Sequence, residues 1–564
     1  MEVENVIRRD RSALIASVAT LMIGVALLAA ACGGGGNKSS ASTAGATGAA
    51  GGSTQQKTFP NFRIVYDTGT DYLDPGLSYT VQGWEAMWNV YLSLLGYTHV
   101  AGPDGATLVP ALAQDLPDIS ADGKTYKLTL RQGLKYSNGK PVKASDFKYA
   151  IKRLFQIDSP GVGFFTNIVG ADEFSKTKKG DISGIVANDS SGIITIKLLK
   201  PQGDFQNILA TIFAAPVPAG TPAKDQSTTP IPSTGPYMIQ SYSPNRQFIL
   251  VRNPNFKPTA GVPATNPDKM TFKIVEDDSA ALQQVINGQA DYNFHPIPVD
   301  RLADVQQKYG DQLKIYTPAN TYYFFMNNRL APFDNLKVRQ AVNYAIDRNA
   351  LVRLYGGLAT PTENVLPPTY PQYKKHNLYP HDLAKAKQLI QQAGVKGAAV
   401  TVWTSNRDTA KKPAAYLQDV LNQMGLKAKL KVIDASIYWT TVGNQATKAQ
   451  IGFADWFQDY PHPLDWFDVL LNGQRITQTH NNNYSNFDNK NVNSEIDKLK
   501  VEPTLTDSVN QQWANVDNTV MQNAAWAPYV NRQFTDFFSS NVDTSCYINH
   551  VLYQFDFSRI CMKK

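Results

Sequence analysis

Between Ala398 and Asp434 the chain reads "AAVTVWTS", then "PAAYLQDVLNQMG", then "LKAKLKVID". The first and third stretches are short, apolar and rich in β-branched residues. The second carries apolar residues at helical spacing and ends at Gly425. A strand, a helix and a strand joined by connections this short leave one solution, a right-handed crossover between parallel strands. That unit demands an open α/β sheet with helices packed against it, and the rest of the chain must be compatible with it.

The remaining pattern is compatible. "NFRIVY" reads as a strand near the start of the folded part, with Phe62 to Tyr66 at its centre, and "GWEAMWNVYLSLLGY" follows with helical spacing. "YKLTL" alternates, Asn138-Gly139 signals a hairpin, and Ser145 is placed to cap a helix carrying Phe147, Ile151 and Leu154. "GIITIKLLK", "QFILVRNP" and "MTFKIVE" are further strands. A helix is expected from Asp278 or Ser279 to Gly288. "DNLKVRQAVNYAIDRNALVRLYGG" predicts one long amphipathic helix ended by Gly356-Gly357, and "HDLAKAKQLIQQAG" a helix capped by Asp382. The Pro-rich run from 216 to 236 marks a boundary. A chain of 564 residues exceeds what one core supports, so two or three domains are expected, and no repeat at solenoid or propeller period is present.

The N-terminus has its own logic. "VIRRDRS" is basic, "ALIASVATLMIGVALLAAA" is continuously apolar, and Cys32 is followed at once by a stretch, up to residue 57, that is almost all Gly, Ser, Ala, Thr and Gln. Small residues ahead of a lone cysteine suggest an export signal, residues 1–31, cut before Cys32; an uncleaved anchor is the other reading of such a run. Residues 33–57 cannot bury enough apolar surface to fold, and make a tether of about 25–30 Å r.m.s. reach. The two other cysteines, Cys546 and Cys561, are an even pair in an exported chain and are expected to form a disulfide.

Several chemistries lack their motifs. There is no phosphate-binding G-x-x-x-x-G-K-[ST], no H-E-x-x-H, no G-x-S-x-G and no calcium loop. The seven histidines are scattered, and His376 and His381 are expected at the surface. A net charge of +7 without a basic block gives no case for nucleic acid. No metal or cofactor is implied. What stands out is "FADWFQDYPHPLDWFD", residues 453–468, where four carboxylates sit among six aromatic rings. Asp455 with Asp459, or Asp459 with Asp465, is open to a reading as a hydrolase's acid and base; a binding wall is the other.

Four stretches decide between them. "YKLTLRQGLKYSNGKPVKASDFKYAIKRL" (126–154), "STGPYMIQSYSPNRQFILVRNPNF" (233–256), "FFMNNRLAPFDNLKVRQAVNYAIDRNALV" (324–352) and "DWFQDYPHPLDWF" (455–467) occur in the order and spacing of the extracellular solute-binding proteins of family 5, which the chain resembles. "LLAAAC" resembles the bacterial lipobox, whose cysteine is lipid-modified, although Ala29 stands where Leu is commonest. The resemblance implies an α/β, two-lobed periplasmic-binding-protein-like fold (class II, cluster C type) with an extra domain on the N-terminal lobe. The first lobe would take 58–110, 230–318 and 530–564, the extra domain 111–229 and the second lobe 319–529. The hinge would lie near Thr317–Thr321 and Pro528–Arg532.

It further implies a monomeric receptor, lipid-anchored at Cys32 outside the cytoplasmic membrane. Such a receptor closes on a peptide and passes it to an ABC permease whose ATPase is a separate chain; nothing is catalysed. Asp459 would meet a peptide's α-ammonium and Trp456 would form a wall. Phe164 or Phe165 would line the cleft, and Asp71 and Tyr72 would form the opposite wall. Asp455 stands where oligopeptide binders often have Gly. Asp465 and Asp468 are expected as helix caps or solvated charges, and Arg407, Lys411 and Lys412 as a solvated loop, with contact to a ligand's carboxylate as the other reading. Because family members also take nickel chelates, haem, glycans and opines, the resemblance leaves the ligand open.

Overall fold

The computed structural model describes residues 58–563; the stretches expected as an export signal and a tether, and Cys32 between them, lie outside the described residues. Two central sheets carry the fold. The first has seven strands in the order Leu313–Tyr316, Phe534–Phe538, Tyr292–Asn293, Phe62–Tyr66, Lys269–Ile274, Gln247–Arg252 and Tyr237–Ser243. The second has six, in the order Ala359–Pro361, Trp526–Arg532, Asn320–Met326, Ile451–Phe457, Ala399–Ser405 and Lys427–Ile433. A separate four-stranded sheet (Asp118–Ile119, Thr125–Thr129, Ile193–Lys197, Ile185–Asn188) packs with the helix Ala144–Gln156.

The parallel unit that constrained the sequence reading is present. Ala399–Ser405 pairs in parallel with Lys427–Ile433 along seven residues, and the helix Asp408–Gln423 packs on both strands. At the centre of the same sheet, Asn320–Met326 and Trp526–Arg532 are buried at every position, as strands covered on both faces must be. Gly452 is where the backbone of Ile451–Phe457 comes closest to its neighbour, since a Cβ there would lie 2.4 Å from the Trp403 carbonyl oxygen.

The chain passes between the two main sheets twice. Residues 317–319 join Leu313–Tyr316 to Asn320–Met326, and Gln533 alone joins Trp526–Arg532 to Phe534–Phe538. Residues 530–532 therefore run in the second sheet and not the first. Cys546 and Cys561 are disulfide-bonded beside the short strand pair Val542–Asp543 and Cys561–Met562.

Local readings differ in three places. The single long helix expected after Asn335 is two, Leu336–Ala345 and Arg348–Leu354. Ile346 turns extended, and the Asp347 carboxylate accepts hydrogen bonds from Asn349 and Ala350 N–H, restarting the helix in a new direction. Ser145 is not a cap but the second residue of Ala144–Gln156; its N–H and hydroxyl donate to Asp189, while Asp146 accepts from Lys143 N–H. His376 is not at the surface, because its ring is nearly enclosed beside Asp517; His381 is exposed.

Candidate functional site

The site lies where both main sheets end their parallel strands, at the carboxyl edge that open α/β sheets present to ligands. Phe62–Tyr66 feeds the loop from Asp67 to Thr80, Ala399–Ser405 feeds Arg407, and Ile451–Phe457 feeds Gln458 to Pro463. These loops face each other across a cavity of about 710 Å³ lined by residues of both sheets' flanking segments, within the range of small-ligand clefts.

Within Ile451–Phe457, alternation sends Phe453, Asp455 and Phe457 toward the cavity. Just past the strand, Asp459 keeps part of its surface open to the same space. Its Oδ2 accepts a 2.6 Å hydrogen bond from the Tyr79 hydroxyl on the opposite wall. Its N–H donates to Asp465 Oδ2 at 2.9 Å, which also accepts from Trp456 Nε1 at 3.3 Å. Asp465 is fully buried, with Oδ1 lacking a partner among the described residues. Burial pushes Asp465 well above the usual carboxylate range, and the charge of Asp459 pushes the same way. Asp459 is raised to about 7, burial outweighing the bonds from Tyr79 and Asp465 that favour its anion. Burial and the neighbouring charge thus favour the protonated form of Asp465, and Asp459, raised to about 7, is the readier of the two to ionise.

Asp71 lines the cavity but spends its carboxylate on its own loop. Oδ1 accepts from the Ser78 and Thr80 hydroxyls at 3.0 and 2.9 Å, and Oδ2 from Tyr79 N–H at 2.6 Å. The loop is tight enough that a Cβ at Gly83 would fall 2.1 Å from Ser78 Oγ. Asp71 is therefore a positioning residue that presents Tyr79 to Asp459. Tyr72 lines the cavity, half-buried. Trp456 reaches its rim and stands edge-on to Tyr79, ring centroids 6.0 Å apart.

Phe164 and Phe165 are not on the cavity. Phe165 is fully buried, and Phe164 packs behind the wall against Tyr79, Phe213 and Tyr460. Asp465 and Asp468 are neither caps nor solvated: Asp468, lowered to about 2, binds Lys500 at 2.8 Å and Arg475 at 3.2 Å. For Asp468 burial alone would raise the value, and the two cations more than reverse it. Asp455 is raised to about 7 by burial, with Arg532 pulling it down.

Arg407 is not a solvated loop residue. Its Nη2 meets Asp67 Oδ2 at 2.7 Å and its Nη1 the Asp67 carbonyl oxygen at 2.7 Å, joining one sheet's loop to the other's. Lys411 and Lys412 are exposed. Further bonds cross the same gap: Gln458 Nε2 to the Val551 carbonyl at 2.8 Å, the Tyr460 hydroxyl to Asp204 Oδ2 at 2.8 Å, and Arg475 Nη1 to the Gly163 carbonyl.

Sequence reasoning missed Tyr79, Arg407 as a bridge, and Arg532. Tyr79 carries no local signal. Arg532 carries one, as the lone charge between Trp526 and Phe534 in "WAPYVNRQF".

Two α/β sheets joined by two crossings, with a cavity between their loop edges and a separate four-stranded sheet, define a two-lobed binding-protein fold. The chain belongs to the bacterial extracellular solute-binding proteins, family 5, whose model matches residues 107–478. It is 27% identical over 434 residues to the glutathione-binding protein GsiB of Salmonella paratyphi A (strain ATCC 9150 / SARB42), covering 75% of this chain and 81% of that protein. Among solved structures it is similar to clavulanic acid biosynthesis oligopeptide binding protein 2, with TM-score 0.80, 25% identity, and 90% and 96% of the two chains covered. It is also similar in fold to the periplasmic binding protein DppA of Helicobacter pylori in complex with the peptide STSA, at TM-score 0.78 and 21% identity, covering 90% and 99%.

Proposed function

We propose that this protein is the receptor of an ABC importer that captures a peptide between its lobes and delivers it to a membrane permease. The observation that carries the reading is Asp459: a cleft-facing carboxylate, raised to about 7, that accepts a hydrogen bond from a tyrosine hydroxyl of the facing lobe. A peptide's α-ammonium is the complementary partner, and their attraction strengthens as the lobes exclude water. Support comes from family membership and from the peptide or glutathione binding in the names of its relatives. The ligand lies extended, its backbone paired with the walls, with Tyr72 and Trp456 flanking it and Tyr79 closing over Asp459.

The role is binding and release, with no catalytic step assigned to Asp455, Asp459 or Asp465. Lipid modification at Cys32 holds the receptor at the outer face of the cytoplasmic membrane, where Cys32→Ala moves it from the membrane fraction to the soluble one. Native mass spectrometry of the purified protein tests the ligand class. Co-purified masses that fragment as peptides are expected; a metal chelate or a glycan on the protein contradicts the reading.

A further inference from the structure

We propose that Asp455, with the rings of Phe453, Trp439 and Tyr484, forms a subsite in the cleft that takes a cationic side chain, so that the receptor selects peptides carrying lysine or arginine. The inference rests on the peptide-receptor reading above and adds a side-chain preference to it.

Strand alternation sets Phe453 and Asp455 side by side on the cavity face of Ile451–Phe457, about 7 Å apart along the strand. The helix Ala435–Val442 brings Trp439 up to Phe453, with ring centroids 6.2 Å apart. Tyr484 stacks on the Trp439 ring at 5.7 Å and 23°. All four residues line the cavity. Burial pushes the Tyr484 hydroxyl up and the Asp455 carboxylate pushes the same way, so the two stand within electrostatic reach.

The Asp455 carboxylate accepts no hydrogen bond and makes no ion pair among the described residues. Arg532 attracts it without pairing. That guanidinium is packed on a different set of rings, 6.0, 5.1 and 4.8 Å from the centroids of Tyr322, Tyr355 and Phe534. A carboxylate held away from water without a donor is costly, and a cation arriving through the cavity removes the cost. Asn481 supplies a second free acceptor. It lines the cavity and is buried; its Nδ2 donates to the Asn483 carbonyl at 2.8 Å, while its Oδ1 has no donor among the described residues.

Acceptors without donors, set beside ring faces, define the complementary group. It carries a positive charge, N–H donors and an apolar stem. The ammonium of lysine and the guanidinium of arginine both qualify, with the stem and the charge against the rings and the donors on Asp455 and Asn481. A neutral alkyl side chain would cover Asp455 and leave it unpaired, and an acidic one would be repelled.

Isothermal titration tests this with tri- and tetra-alanine in which lysine, arginine, norleucine or glutamate replaces each residue in turn. At one position lysine and arginine are expected to bind at least tenfold more tightly than norleucine, which has the stem without the charge, and glutamate more weakly still. Asp455→Asn should bring the lysine-to-norleucine ratio close to one. If that variant does not fold, Trp439→Leu removes a ring while keeping Asp455 and is expected to cut the ratio severalfold; an unchanged ratio overturns the subsite. A ratio near one at every position of the unaltered protein, or a ratio that survives Asp455→Asn, overturns it too. The peptide reading stands in those cases if N-acetylation still weakens binding. Failure of every peptide to bind overturns both.

Discussion

In the proposed receptor, Asp459 is the carboxylate that meets the ligand's cation. Burial raises it toward neutrality, while the Tyr79 hydroxyl and the buried Asp465 keep its anion within reach. Arrival of an ammonium favours the anion and lowers the value, so binding and ionisation are linked. The sign follows. Below about pH 7 the free receptor's Asp459 takes up a proton that the complex must shed, so affinity falls as pH drops from 7 to 5. Above about pH 8 the peptide's own α-amino group, ordinarily near 7.7–8.0, loses its charge, so affinity falls again. Titrations from pH 5 to 9 are expected to give an optimum between 7 and 8. An N-acetylated peptide, lacking the ammonium, should lose the alkaline limb.

At the scale of elements, the break after Ala345 is a specific device. Asp347 caps the helix Arg348–Leu354 through two backbone N–H groups, and Arg348 beyond it is buried, donating to the carbonyls of Thr362 and Pro528 beneath the second sheet. Asp347→Ala is expected to cost about 1 kcal/mol, measured by urea unfolding, with peptide affinity unchanged because Asp347 does not line the cavity. This break also shows what was legible. Periodicity reports which face of a helix is apolar; a change of direction over two residues, Ile346 and Asp347, leaves no mark on it. The parallel unit Ala399–Ile433 was legible because its alternation, its helix and its connections all demand one geometry. The stretch 453–468 was legible in part. Asp455 and Asp459 stand out because strand alternation and the loop turn them to the cavity, whereas Asp465 and Asp468 look identical in sequence and are buried. Their partners, Trp456, Lys500 and Arg475, are set by tertiary packing. Phe164 was misplaced for the same reason: an aromatic beside a cleft lines it or backs it according to side-chain direction, and here Tyr79 stands in front.

Across the whole molecule, the two lobes are joined by two short crossings and by side-chain bonds that span the cleft. Tyr79–Asp459, Arg407–Asp67 and Gln458–Val551 each connect loops on different sheets. Few-residue crossings absorb hinge rotation, while such bonds bias it toward closure. Arg407 is partly exposed, so its ion pair contributes modestly, up to about 1 kcal/mol. Arg407→Ala is expected to enlarge the radius of gyration of the ligand-free protein in small-angle scattering and to weaken peptide binding severalfold, the two effects vanishing together at saturating peptide. An unchanged radius with weakened binding would assign Arg407 to ligand contact instead of closure.

The central claim is that a peptide's ammonium is held by Asp459, and the most direct test is isothermal titration of tri-alanine and N-acetyl-tri-alanine into the protein and its Asp459→Asn variant. The prediction is that acetylation weakens binding to the unaltered protein by about a hundredfold, the scale of losing one partner of a buried charge pair. Asp459→Asn should weaken the free-amine peptide by a similar factor and leave the acetylated one nearly unaffected. Equal losses for both peptides on mutation would contradict the account.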